Sequence, residues 1–398
     1  MESLTLHIPQ GINYECQSCG KCCGGWAVPM TDADYERISE VDWKGVSAPA
    51  KQYGLYRELK KYESANTPYS HKIVSETGVC PFLVDKLCHI HAERGMEFKP
   101  AICQLFPYCF SETPSGVYAT VSFVSEGVVY NSGRPLADQR DQLEKKWNEF
   151  RRLYPEYKPD WSHTRLTVDK PITWEACLQV EERLLALLDD TSKPLEQRMW
   201  DCSLFLRAQL SGGTVPADAP KLSDAPPLNA LDKSVLAVFH RMYFPAKPAK
   251  QGDGDFNITR MIGEHFTGSK RIQLPGENYK ISDLVDFPFC NDDQVDNLLY
   301  RYVFSYFYGK KYFGAGFGQV SLIAGFHHIV LMLALIKLHS KALAKMRGAS
   351  CVSMMDVAAT VRQLERMVGE TKLGGYSAAA WEMLLGPGTR ARRLLAHV

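Results

Sequence analysis

The chain has 398 residues, 45% of them hydrophobic, with 46 basic against 45 acidic side chains and a formal net charge of +1. That is enough apolar material for a core without disulfide stapling, and the charge balance excludes recognition of nucleic acid through an overall basic field. Partners are therefore expected to be recognised locally, with no nucleic acid among them.

The N-terminal stretch MESLTLHIPQGINYEC has no basic segment followed by an apolar run, so no secretory signal is visible in it, and a cytoplasmic, reducing setting is expected. Twelve cysteines follow, eight of them between Cys16 and Cys109. The densest group is CQSCGKCC, with Cys16, Cys19, Cys22 and Cys23 in eight residues. Two-residue gaps let one loop present successive sulfurs to a metal centre, whereas adjacent Cys22 and Cys23 do not suit a single small ion. Crowded thiolates are costly unless a cation neutralises them, so metal or iron–sulfur binding is the expectation.

Beyond the loop, DADYERISEVDW reads as an amphipathic helix. Cys80 in GVCPFL, Cys88 in KLCHIH and Cys103 in AICQLFP then extend the thiol set, and Cys109 follows in YCF. Cys80 before Pro81 matches the cysteine–proline pair that closes many ferredoxin-type clusters, so the loop is expected to give three ligands and this segment the fourth. Cys16, Cys19, Cys22, Cys23, Cys80, Cys88 and Cys103 are the candidate metal ligands. Seven sulfurs exceed one four-ligand site, which implies either two centres or some structural thiols. His89 and His91 flank Cys88 and are alternative zinc ligands or simple surface histidines. Arg94 and Lys99 place positive charge either beside an anionic cluster or in solvent.

In GVYATVSFVSEGVVYNSG, residues Val117, Ala119, Val121 and Phe123 alternate with more polar neighbours, which predicts a strand. Ser125–Glu126–Gly127 is expected to turn it into a second strand ending near Tyr130. From about Asp138 the period becomes helical. ADQRDQLEKKWNEFRRLY carries Leu143, Trp147 and Phe150 on one face, and TWEACLQVEERLLALLDD opens on Thr173 as N-cap. Loops are expected near 211–227 and 245–255, rich in proline and small residues. NDDQVDNLLYRYVFSYFYGKKYFG and SMMDVAATVRQLERMVGE are further helices.

Val320 to Leu338 is apolar over a bilayer-spanning length, but His327 and His328 at its middle argue for a buried core helix and no membrane span. Cys177, Cys202, Cys290 and Cys351 stand alone and read as buried small hydrophobes. Gly314, Gly316 and Gly318 in FGAGFG have no apolar strand before them, so a tight turn is expected rather than a nucleotide cradle.

The ordered set CQSCGKCC, CPFL, CHIH, KPAIC and LFP resembles the cysteine-cluster (CxxCxxCC) family of zinc- or iron-chelating proteins over the first third of the chain. Lys99 stands where that pattern has arginine. DNLLYRYVFSYFYG and the apolar helix after it resemble the end of bacterial flagellin lysine N-methylases, which share the cysteine head. That resemblance implies methyl transfer from S-adenosylmethionine to lysines of flagellin with a 4Fe-4S cluster; zinc is the alternative metal, and a non-catalytic zinc- or iron-chelating protein the alternative function. Lysine methylation needs a desolvated, deprotonated amine. Phenolic oxygens of Tyr302 and Tyr306 would orient it, and Asp296 would accept its proton, although aromatic residues at this spacing equally form core. The radical S-adenosylmethionine motif is absent, since its first gap is three residues and Cys16 and Cys19 are separated by two.

The expected fold is α+β and mainly α. A small irregular cysteine-rich metal-binding region with a β-hairpin, residues 1–135, precedes a large helical domain, residues 136–398.

Overall fold

The computed structural model describes residues 5–24, 28–43, 46, 54–64, 67–74, 79–245, 270–370 and 375–398. The protein is mainly helical with small two- and three-stranded sheets. Two compact units divide the chain: Met1–Phe110 with Ala119–Lys158, and Ser111–Tyr118 with Pro159–Val398.

In the first unit the helix Asp32–Ser39 begins with a reciprocal capping box, because Thr31 accepts from the Asp34 amide and Asp34 accepts from the Thr31 amide. It packs near an antiparallel sheet ordered Pro29–Met30, His71–Ile73, Tyr56–Glu58. Val28, Met30, Ile38, Trp43, Ile73, Phe82 and Ile90 form the core. Trp43 satisfies its indole by donating to the Ile38 carbonyl at 2.9 Å.

The expected hairpin is only partly right. Gly116–Val121 is a strand, but its neighbours are Tyr108–Thr113 upstream and Leu6–His7. The turn is Pro114–Ser115, closed by Gly116 at φ 123 and by the Thr113 hydroxyl donating to the Gly116 carbonyl at 2.8 Å. Ser125 does not turn the chain into a second strand. It precedes a short helix, Glu126–Val129, with the Val129 amide donating back to the Ser125 carbonyl.

In the second unit the helix Leu322–Met346 is the central element, with Leu195–Ala208, Ala230–Tyr243, Asp293–Tyr308, Met354–Glu370, Gly375–Leu385 and Gly388–His397 packed around it. Its most apolar window is 94% buried inside the protein, as the two histidines anticipated. Each has a polar partner: His327 contacts the Ser203 hydroxyl and the Leu385 carbonyl, and His328 contacts the Tyr243 hydroxyl. Thr173 caps Trp174–Leu188 by accepting from the Ala176 amide. The predicted loop at 211–227 holds only turns and the one-turn 3-10 helix Leu222–Asp224. Residues 246–255 of the loop expected near 245–255 lie outside the described residues.

Two expectations about isolated residues part ways. Cys177 and Cys202 are buried, at 1% and 0% exposure. Cys290 and Cys351 are instead joined as a disulfide across a sequence separation of 61. A parallel bridge between Phe289 and Val352 sets the two loops side by side, and the Cys290 amide donates to the Val352 carbonyl. Nothing local to either cysteine encodes that pairing. The glycines of FGAGFG form a tight turn. Gly314 donates to and faces Val320, and a Cβ on Gly316 would stand 1.7 Å from the Lys310 carbonyl oxygen.

A thiol cluster as the candidate metal centre

Four chain segments bring thiols together in the first unit. The head loop turns at Gly20, whose φ of 69 suits glycine, into the one-turn helix Lys21–Cys23. Immediately after it, Gly24 bridges Val79, and the Cys80 amide donates to the Cys23 carbonyl at 3.2 Å. Cys80 then sits at the foot of a two-residue hairpin, Leu83–Val84 with Leu87–Cys88, in which Leu83 faces Cys88. Asp85 and Lys86 at its tip both have positive φ, the geometry that matches the twist of paired strands. Cys103 comes from the short helix Ala101–Leu105.

Cys80, Cys88 and Cys103 all pack against the same core cluster, with Phe98 and Ile102 beside them. Their electrostatics report the convergence. The Cys23 thiol is held well above its ordinary range, first by its side-chain hydrogen bond with Cys22, then by burial and by the nearby sulfurs of Cys22, Cys80 and Cys103. Burial raises Cys80 to about 11, the Phe82 amide opposes, and Cys88 adds to the rise. Burial also raises Cys103, with Lys99 opposing and Cys80 and Cys88 adding. Cys80 and Cys103 thus each neighbour both Cys23 and Cys88, and the Lys99 ammonium is a countercharge to Cys80 and Cys103.

Cys16, Cys19 and Cys22 form a second set, since all three act on the Tyr14 hydroxyl, whose ionisation is opposed chiefly by burial. Cys16 is exposed, whereas Cys19 and Cys22 are partly buried. Adjacent Cys22 and Cys23 link the sets. Cys109 donates its thiol to the Pro107 carbonyl at 3.7 Å. His91 is exposed, and His89 lies edge-on to Trp43. Among the described residues no three His, Cys, Asp or Glu side chains stand close enough to grip an ion as they are. Binding therefore requires the thiols to lose their protons and draw in, which a soft cation favours; the all-sulfur donor set fits zinc or iron.

Sequence reasoning missed the residues that hold Cys103 in place. Asp34 accepts from the Ala101 amide at 3.2 Å, and Arg37 donates to the carbonyls of Phe98 and Lys99 while pairing with Asp34 at 2.6 Å. Gln104 donates to the Lys99 carbonyl at 2.7 Å. The signal available was the Thr-Asp-Ala-Asp cap, which reads as a helix start and says nothing of its second task.

The other candidates lie in the second unit. Tyr302 and Tyr306 are buried, at 0% and 5% exposure; the Tyr302 hydroxyl donates to that of Tyr306, which donates to Glu365 at 2.7 Å. Asp296 is exposed on the same helix, six residues from Tyr302 and so about 240° around the axis. The tyrosines come together, and Asp296 does not join them.

Residues 15–122 match a family model, CxxCxxCC, described as "Putative zinc- or iron-chelating domain". An uncharacterized protein of Methanocaldococcus jannaschii is 35% identical over 101 residues, covering 25% of this chain. The chain spans 30% of the length of that relative. No solved structure matches. The match covers the thiol-bearing segments through Cys103 and Cys109.

Proposed function

We propose that the N-terminal unit binds zinc or iron, as an ion or as an iron–sulfur cluster, through Cys23, Cys80, Cys88 and Cys103. The observation that carries this reading is the joining of the Cys23 and Cys80 backbones beside the hairpin that presents Cys88. Cys16, Cys19 and Cys22 supply additional thiols next to this set, in keeping with the head loop's spacing. A bound cation would supply the positive charge that lets these sulfurs remain thiolate, and Lys99 would contribute to the same field. Protein purified without oxygen and assayed for zinc, iron and acid-labile sulfide tests the reading. About one or more equivalents of bound metal per chain is expected, brown if iron–sulfur, and metal-free protein after reconstitution with either ion would refute it.

A finer reading is an iron–sulfur-dependent lysine N-methyltransferase acting on flagellin or a similar protein with S-adenosylmethionine as methyl donor. It is supported by the resemblance of Asp296 to Phe304 to flagellin lysine N-methylases and by a helical unit far larger than chelation needs. On this reading Tyr302 and Tyr306 meet a substrate amine only after local opening, because both lie beneath the surface. Incubation with flagellin and S-adenosylmethionine, read by intact mass, should add methyl increments; an unchanged mass under reducing and oxidising conditions alike would dismiss it.

A further inference from the structure

A cavity of about 430 Å³ opens in the second unit between the turn after Thr167, the end of the helix Leu195–Ala208, the start of Leu322–Met346 and the helix Gly375–Leu385. Its walls are mostly apolar. Val168, Leu210 and Met383 line it and are large hydrophobic side chains left 46%, 43% and 64% exposed, and Ile323 lies with them at 3%. Apolar side chains gathered around one concavity mark a binding surface rather than scattered exposure.

Three ionisable side chains line the same cavity: Arg207, Asp169 and Glu382. Glu382 is already committed, accepting from both the amide and the hydroxyl of Ser321 at 2.6 and 2.8 Å at the head of the central helix. The side chains of Arg207 and Asp169, both exposed, have no hydrogen-bond or ion-pair partner among the described residues, and they do not pair with each other although they share one cavity. One cation, one anion and apolar side chains lining the same cavity are complementary to a zwitterion that carries an apolar substituent.

We infer that this cavity binds an apolar α-amino acid, its carboxylate on Arg207, its ammonium on Asp169 and its side chain against Val168, Leu210, Ile323 and Met383. The volume lies within the small-molecule range of about 300–1,000 Å³ and exceeds what one aliphatic amino acid fills. The zwitterion is thus either a free amino acid bound with water or the amino-acid end of a larger molecule. The inference uses no residue of the thiol cluster and stands whether or not that cluster holds metal.

Calorimetric titration of the full-length protein tests it. The probes are L-leucine, L-methionine, 4-methylpentanoate, which lacks the amine, L-leucinol, which lacks the carboxylate, and S-adenosylmethionine, which carries a methionine end. L-leucine or L-methionine should bind, and removing either charge should weaken binding at least tenfold. Arg207→Gln and Asp169→Asn, both surface changes, should each weaken the amino acids at least tenfold without shifting the unfolding midpoint. Competition by S-adenosylmethionine with higher affinity than methionine would identify the larger source, and its exclusion the free amino acid. Equal affinity for 4-methylpentanoate and L-leucine, undiminished binding by Arg207→Gln, or no binding of any zwitterion at millimolar concentration would overturn the inference.

Discussion

The amide of Cys80 donates to the carbonyl of Cys23 at 3.2 Å, so the head loop and the Cys-Pro-Phe-Leu segment share a backbone seam that ends in two thiols. Replacing a sulfur at this seam, or the Cys103 sulfur beside it, should remove metal without removing the fold. Cys80→Ala and Cys103→Ala are each expected to lower bound metal at least tenfold by elemental analysis. Cys202→Ala, whose thiol donates to the Leu184 carbonyl in the other unit, should leave the metal unchanged. Retention of metal by both of the first variants would move the centre to Cys16, Cys19 and Cys22.

Acid should destabilise the second unit through its interior histidines. Burial lowers His327 to about 4, partly offset by the Leu385 carbonyl, and lowers His328 and His339 to about 3. Each folded value lies below the unfolded value of about 6.5, so the unfolded chain takes up the proton first. Their contribution is intact above pH 6.5 and is lost as pH falls towards the folded values. At pH 5 the loss is about 2 kcal/mol per histidine. Denaturant midpoints measured between pH 7 and pH 5 should fall accordingly, and a flat profile would mean that these rings are hydrated.

Glu181 and Lys310 form an ion pair with side chains only 4% and 3% exposed, and the Lys310 ammonium also sits 3.7 Å above the Tyr118 ring. Burial raises Glu181 to about 7 against the attraction of Lys310. Removing one partner strands the other charge, so Lys310→Met should cost about 3–5 kcal/mol by urea unfolding. Lys310→Met combined with Glu181→Met should recover most of that loss, whereas additive losses would show that the two charges act independently.

Gly325 stands one turn into the central helix, where alanine is normally favoured by about 1 kcal/mol. A Cβ there would come 1.7 Å from the Tyr312 carbonyl oxygen. Gly325→Ala is therefore expected to destabilise by about 2 kcal/mol or more, read as a lower thermal midpoint, because backbone must shift to admit the methyl group. A neutral or stabilising result would show that the turn carrying Tyr312 yields freely.

Much of the architecture was legible because its signals are local. Thr173 caps its helix as its side chain requires, and the apolar run with His327 and His328 became a core helix because each imidazole could find a partner inside protein but not in lipid. The second strand expected after Ser125 failed for a local reason as well: Pro114, Ser115 and Gly116 offered a better turn on the other side of Gly116–Val121.

The sequence by itself determined that thiols crowd the first third of the chain and that helices fill the rest, since spacing and period act over a few residues. Only the tertiary structure decided which sulfurs are neighbours. It set Cys23 against Cys80 and paired Cys290 with Cys351. It also buried Tyr302 and Tyr306 away from Asp296 and left Arg207 and Asp169 facing one cavity. Contacts between distant segments depend on how separate apolar faces pack, and no local pattern records that outcome.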